Sequence, residues 1–248
     1  MTNPWDDEPL SSPASRVHEA VGVGWLIGAA IATIVLWQLP FGNYVLYPFS
    51  ILATWFHEMG HGLTAMLLGG NFQQLQLFSN GSGVATHSGV RFFGPLGRAL
   101  VAAGGPLGPP LAGAAFILAS RRKQTAKMAL LVLGSVLIVS TVVWVRSLFG
   151  LVAVPLLGLA ILAIASFAPR WLQVFSIQLL GVQACISSFH QIDYLFTRQA
   201  VIGGRAMLSD SGQIAQNLLL PYWFWGALMA IASFLLLYQS LRLAYRES

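Results

Sequence analysis

A chain of 248 residues is long enough for one large domain or two small ones, yet 56% of it is apolar and only 8% charged. A soluble domain carries about 25% charged residues to face water, so this composition excludes a soluble globule and predicts an all-α polytopic membrane protein. The net charge of +5 does not indicate nucleic acid: the basic residues lie singly or in one small group (Arg121, Arg122, Lys123, Lys127) between apolar runs, as membrane-flanking loops do.

In chain order, residues 1–19 form a polar, acidic, proline-containing tail. This is the opposite of the basic start of a signal peptide, so the first apolar run is expected to stay as a spanning helix. A span needs about 20 mostly apolar residues, and about seven transmembrane helices are predicted, at 20–39, 45–69, 98–120, 127–145, 148–167, 171–195 and 219–242. The fourth and fifth are divided only by Arg146 and Ser147 and read as a tight helical hairpin. Between the second and third, Asn71 to Val90 alternates apolar and polar residues around Asn80-Gly81, the pattern of a short β-hairpin. Residues 196–218 read as a polar connection with a short amphipathic piece. Basic residues divide six against seven between the two sides, so charge does not set orientation. The one cysteine, Cys185, excludes an internal disulfide and lies in an apolar run as a small buried residue.

The chain has eight acids. Asp6, Asp7, Glu8 and Glu19 lie at the N-terminal end and Glu247 is penultimate, which leaves Glu58, Asp193 and Asp210 in between. Glu58 belongs to His57-Glu58-Met59-Gly60-His61, an H-E-x-x-H pattern. Residues four apart share a helix face, so both imidazoles can reach one Zn²⁺, and Glu58 can take a proton from water beside it. Ionisable side chains within an apolar span are costly unless they serve a function, which argues against a chance pentapeptide. A catalytic zinc usually has a third protein ligand. A histidine six residues after His61 is excluded, because that position is Leu67; a downstream glutamate leaves only Glu247, beyond the last span. Asp193 and Asp210 remain.

With these residues the chain resembles the site-2 protease family of intramembrane zinc metalloproteases, and more closely its compact branch without PDZ or CBS domains. The resemblance covers most of residues 50–235 and runs through FHEMGHGLTAMLLGG, the hairpin segment GSGVATHSG, the small-residue stretch AAGGPLGPPLAGAAFILAS from Ala102 to Ser120, and GVQACISSFHQIDYLF followed by LSDSGQIAQ. It implies that residues 20–248 form a single transmembrane metalloprotease-like domain in which His57, His61 and one aspartate hold Zn²⁺ and Glu58 is the catalytic base. An asparagine common in the family falls on Ala184, an expected acid on Gln191, and Ser211 replaces the usual alanine. The Ser-Asp pairing at Ser209-Asp210 puts Asp210 slightly ahead of Asp193 as the third ligand. Position argues for Asp193, which closes a continuous apolar helix; a helix N-cap is the competing role for Asp210, and an interfacial charge that for Asp193.

Among other polar residues, His87 lies in the hairpin segment near the site, where it either hydrogen-bonds substrate backbone or, the favoured reading, sits in a polar loop; His190 is expected as a hydrogen-bond partner of the site or a solvated helix-end histidine. The glycines and prolines of 104–113 suit either close helix packing or a kinked helix lining a wet cavity. The expected activity is hydrolysis of peptide bonds in membrane-embedded or membrane-proximal substrates, with the lipid bilayer and a membrane protein or peptide as partners and no nucleic acid. The expected location is multi-pass in the cell membrane. The alternatives are an inactive metalloprotease-like protein that binds or regulates, and a zinc transporter, for which the chain has too few acids and histidines across its spans.

Overall fold

The computed structural model describes residue 28 and residues 30–190, 192–202 and 204–245. The predicted N-terminal tail and residues 20–27 and 29 of the first predicted span lie outside them. The chain is mostly helical with two small hairpins, in the order α1 (Ala30–Gln38), α2 (Gly42–Leu67), β1 (Asn71–Leu77), β2 (Gly83–Ser88), α3 (Gly94–Ala119), α4 (Lys123–Val143), α5 (Leu148–Phe167), α6 (Arg170–His190), α7 (Ile192–Leu195), β3 (Gln199–Ile202), β4 (Arg205–Leu208), α8 (Asp210–Asn217) and α9 (Tyr222–Tyr245).

Among the described residues a helix stands within each of the seven predicted stretches, but these helices are not equally suited to cross a membrane. Among the described residues α3, α4, α5 and α9 are long and apolar enough by themselves. α1 and α2 qualify only as one pair bent by 120°. The break follows from Pro40, which cannot donate a helical hydrogen bond, and from Gly42, where a Cβ would stand 1.7 Å from the Leu36 carbonyl oxygen. α6 does not qualify by itself; Gln173, Ser176, Gln178 and Gln183 dilute its apolar content. Buried Gln173 satisfies its amide by donating to the Ala165 and Ala168 carbonyls.

The predicted β-hairpin forms with β1 and β2 antiparallel. Asn80 Oδ1 accepts from Ser82 N and Ser82 Oγ at 3.0 and 2.8 Å, which closes the turn, and Gly81 takes the left-handed φ of 86° that glycine tolerates. The hairpin lies lengthwise along α2. Thr54 Oγ1 donates to the Gly81 carbonyl at 2.7 Å, and Tyr47 Oη donates to the Ser79 carbonyl at 2.7 Å. Its other edge meets the short link between α4 and α5: Leu75 N donates to the Trp144 carbonyl, Arg146 N to the Leu75 carbonyl, and Leu77 N to Ser147 Oγ, the N-cap of α5. A second hairpin, β3–β4, occupies the stretch read from sequence as an irregular connection.

Two apolar clusters flank the middle of the fold. One joins α2, β1, α4, α5 and α6 around Ile51, Trp55, Leu75, Leu137 and Ile177. The other joins α3, α7, α8 and α9 through Ala99, Ala102, Leu195, Ile214 and Met229. α3 stands between them. It touches α2 backbone to backbone: a Cβ on Gly60 would lie 2.1 Å from the Gly104 carbonyl oxygen, and one on Gly108 2.4 Å from that of Phe56. Small residues make this approach possible, and it brings the His57/His61 face of α2 directly against α3. On the far side of α3, buried Cys185 points its thiol at the Pro110 carbonyl, as a small packing residue does.

Candidate metal centre

His57 and His61 lie one turn apart on α2, and Asp210 is the first residue of α8. The Nε2 atoms of the two histidines are 3.2 Å apart; Asp210 Oδ2 is 3.0 Å from His57 Nε2, and Asp210 Oδ1 is 3.2 Å from His61 Nε2. Two ligand atoms on a tetrahedral zinc with bonds of about 2.0–2.1 Å stand about 3.3 Å apart, so the triangle has the size of a metal site. Its chemistry agrees. His61 Nδ1 is 2.8 Å from the Val101 carbonyl. A carbonyl only accepts, so Nδ1 carries the hydrogen and the neutral ring presents a lone pair at Nε2. That lone pair faces a carboxylate, which is also acceptor-only. Asp210 is 2% exposed, and a buried ion without a positive partner costs several kcal/mol. Although Oδ2 approaches His57 Nε2 closely, it accepts no well-aligned hydrogen bond. A proton on one imidazole would satisfy one contact; a divalent cation among the three atoms satisfies all of them.

α3 supplies the wall. A Cβ on Gly105 would stand 2.1 Å from His61 Nε2 and 2.8 Å from His57 Nε2, which is the space an ion bound to both would need. Only a glycine leaves that space open. Burial raises the Asp210 pKa, but the opposing His61 and His57 outweigh it and hold the carboxyl below its ordinary range, in its ionised, ligating form.

Glu58 is buried on the hairpin side of α2. Gly83 opens β2 against it: a Cβ there would lie 2.7 Å from Glu58 Cγ. The Ala85 backbone also faces the carboxyl. Strand alternation puts Gly83, Ala85 and His87 on one face of β2, so His87 faces α2 as well. It belongs to a strand, paired with Phe72, rather than to a polar loop. Burial pushes its imidazole below the ordinary range, and among the described residues its buried Nδ1 has no hydrogen-bond partner.

Of the two candidate aspartates the structure brings only Asp210 to the histidines. Asp193 lies in α7 and is exposed. The capping duty anticipated for Asp210 falls instead on Ser209, whose Oγ accepts from Gly212 N at 3.1 Å and donates to the Thr197 carbonyl. Gln191 and the side chain of His190 lie outside the described residues. Sequence reasoning missed Tyr194, whose ring meets that of His57 edge-on at 6.2 Å, and gave no individual role to Gly105 or Val101. Their only signals were a tyrosine beside an acid at a helix end and a Gly-Gly pair in a small-residue helix.

Neither the curated proteins nor the solved structures contain a match to the chain. A family model does match, from residue 26 to residue 240, described as Peptidase M50B-like. That match, the apolar helices and the His57–His61–Asp210 cluster agree with the resemblance to site-2 proteases: this is a membrane protein, and the chain belongs to the Peptidase M50B-like family.

Proposed function

We propose that the protein is a zinc-dependent intramembrane endopeptidase, multi-pass in the cell membrane, acting on membrane-embedded or membrane-proximal protein segments. The observation that carries this reading is the convergence of His57 Nε2, His61 Nε2 and Asp210 on one point at 3.0–3.2 Å, with buried Glu58 beside them. These three residues would hold the ion, and the set of two imidazoles and one carboxylate suits zinc. Bound zinc supplies Lewis acidity at the scissile carbonyl and lowers the pKa of water in the site. Glu58 accepts the proton of the attacking water and returns it to the leaving amine. Gly83 packs against Glu58 from the hairpin side, which supports a role for β2 beside the base. β1 already pairs with β2 on one edge and bonds the α4–α5 link through Leu75 on the other. Among the described residues β2 has β1 on one side only, so its outer edge is the one that can take an unwound substrate by strand addition.

The test uses full-length protein in liposomes with membrane-spanning peptides. Wild type is expected to bind one zinc and cleave; Glu58→Gln is expected to bind the same zinc and not cleave. Cleavage by Glu58→Gln would reject the role given to that residue. Zinc without turnover in wild type would favour the second reading, a binding or regulatory protein on a metalloprotease fold. One observation speaks for that reading: buried Ala184 has no polar side chain where family members carry asparagine.

A further inference from the structure

The β1–β2 ladder fixes which way His87 points. Gln74 Nε2 reaches Thr86 Oγ1 at 3.5 Å and Gln73 Nε2 donates to Ser88 Oγ at 2.8 Å, so Thr86 and Ser88 present their side chains on one face. Alternation turns Gly83, Ala85 and His87 to the other, the face on which Phe72, Leu75 and Leu77 are buried. The irregularity between Phe72 and Gln74 keeps the two strands in step: the extra residue on β1 lets Phe72 face inward opposite His87. Phe72 lays its ring on Gly62, where a Cβ would stand 2.4 Å from it, just as Gly83 lies on Glu58. From Gly83 to His87 the strand therefore follows the turn of α2 that runs from Glu58 to Gly62, the residue after the ligand His61.

The ladder also fixes which backbone groups are free. Leu75 spends its N–H on the Trp144 carbonyl and its own carbonyl on Arg146 N, and Leu77 spends its N–H on Ser147 Oγ. In an antiparallel pair, opposed residues alternate between exchanging both hydrogen bonds and exchanging none. Leu75–Ala85 and Leu77–Gly83 are of the second kind, and Phe78 N, donating to the Ser82 carbonyl at 2.9 Å, keeps the alternation beside them. Gly83, Ala85 and, two residues on, His87 thus turn their N–H and carbonyl groups to the edge that β1 does not cover. Of these three, His87 alone has a polar side chain. Its Nδ1 is buried and, among the described residues, makes no hydrogen bond, although a buried polar atom normally has a partner. The unpartnered atom stands beside the edge that is open to an extended segment.

We propose that His87 is a substrate-binding residue, its Nδ1 hydrogen-bonded to the backbone of an extended peptide segment paired with the outer edge of β2. This rests on the reading that the site takes an unwound peptide at that edge, and it adds the side chain that holds the peptide there. The test uses full-length, zinc-loaded Glu58→Gln protein in liposomes and the binding of a fluorescent membrane-spanning peptide that wild type cleaves. His87→Leu removes the polar atom; His87→Asn puts an amide where Nδ1 stands. Peptide binding is expected to weaken about tenfold in His87→Leu and to stay within about twofold in His87→Asn, with zinc affinity unchanged in both. With Glu58 restored, His87→Leu is expected to raise KM about tenfold and leave kcat as in wild type, the mark of a contact made equally before and during reaction. Undiminished peptide binding in His87→Leu overturns the proposal. So does an equal loss in His87→Asn, which would assign the effect to the ring's shape, and so does a loss of zinc, which would make His87 a support of the metal centre. A wild type that binds such peptides and cleaves none defeats the peptidase reading and leaves this one standing; cleavage with an unchanged KM in His87→Leu defeats this one alone.

Discussion

The two hairpins serve the same centre by different physical means. β1–β2 is held along its whole length. It lies on α2, is pinned by Thr54 and Tyr47, and is closed on its β1 edge by the α4–α5 link. It acts on Glu58 from a buried strand. β3–β4 has four-residue strands, and Val201 is 73% exposed. Its work is done at its base, where Thr197 and Arg198 meet Ser209 and deliver Asp210 to the histidines. One hairpin governs the base and the other governs the ligand. Perturbing the first should therefore alter turnover at constant zinc, and perturbing the second should alter zinc.

The sharpest break of that comparison is at the ligand itself. Asp210→Asn keeps the side chain's shape and removes its charge. Zinc affinity is expected to fall by more than about 100-fold, beyond the range of outer-shell losses, whereas exposed Asp193→Asn leaves it unchanged. Competition with a chelator measures both, and a large loss in Asp193→Asn would return the ligand position to that residue. A comparable loss is expected from Gly105→Ala, which belongs to neither hairpin. Its methyl would stand 2.1 Å from His61 Nε2, so zinc binding should fail while far-ultraviolet circular dichroism stays helical.

Gly83→Ala examines the first hairpin alone. The added methyl would meet Glu58 Cγ at 2.7 Å and Thr54 Cγ2 at 2.8 Å, and the base must move. A displacement of about 1 Å can cost about 100-fold in rate, so turnover should drop by about 10–100-fold with zinc stoichiometry and affinity as in wild type. Lost zinc in Gly83→Ala would show that the division between the hairpins is false.

Legibility in the sequence followed the same division. The first hairpin was readable because it alternates and carries Asn80-Gly81, and the histidines were readable because H-E-x-x-H is a local pattern on one helix. The third ligand was only half readable: the Ser209-Asp210 pairing favoured Asp210, while the apolar run ending near Asp193 argued the other way. What places Asp210 at the histidines is the clamp between Thr197 and Ser209, a hydrogen bond spanning twelve residues. β3–β4 escaped notice because its strands are too short to show a period. The glycines of α3 were visible as a class, but that Gly105 alone borders the ion's space depends on the rotation of α3 against α2, a tertiary fact. Each predicted apolar stretch is helical where the structure describes it, yet the 120° bend at Pro40–Gly42 and the glutamines of α6 separate helix formation from membrane crossing.

The smallest expected effect falls on the clamp. Ser209→Ala removes the cap on Gly212 N and the bond to the Thr197 carbonyl, while the backbone bond from Ser209 N to Arg198 remains. Loss of a serine cap costs about 1 kcal/mol, roughly a fivefold change in an equilibrium. α8 also keeps its packing on α3 and α9 through Ile214, so the helix should stay folded and Asp210 should lose only part of its fixed placement. Zinc affinity should then fall about fivefold, with turnover at saturating zinc unchanged because Glu58 and its hairpin are untouched. Titration of zinc against activity separates the two quantities. If turnover at saturating zinc falls instead, Asp210 does more than hold the ion, and the second hairpin reaches the chemistry as directly as the first.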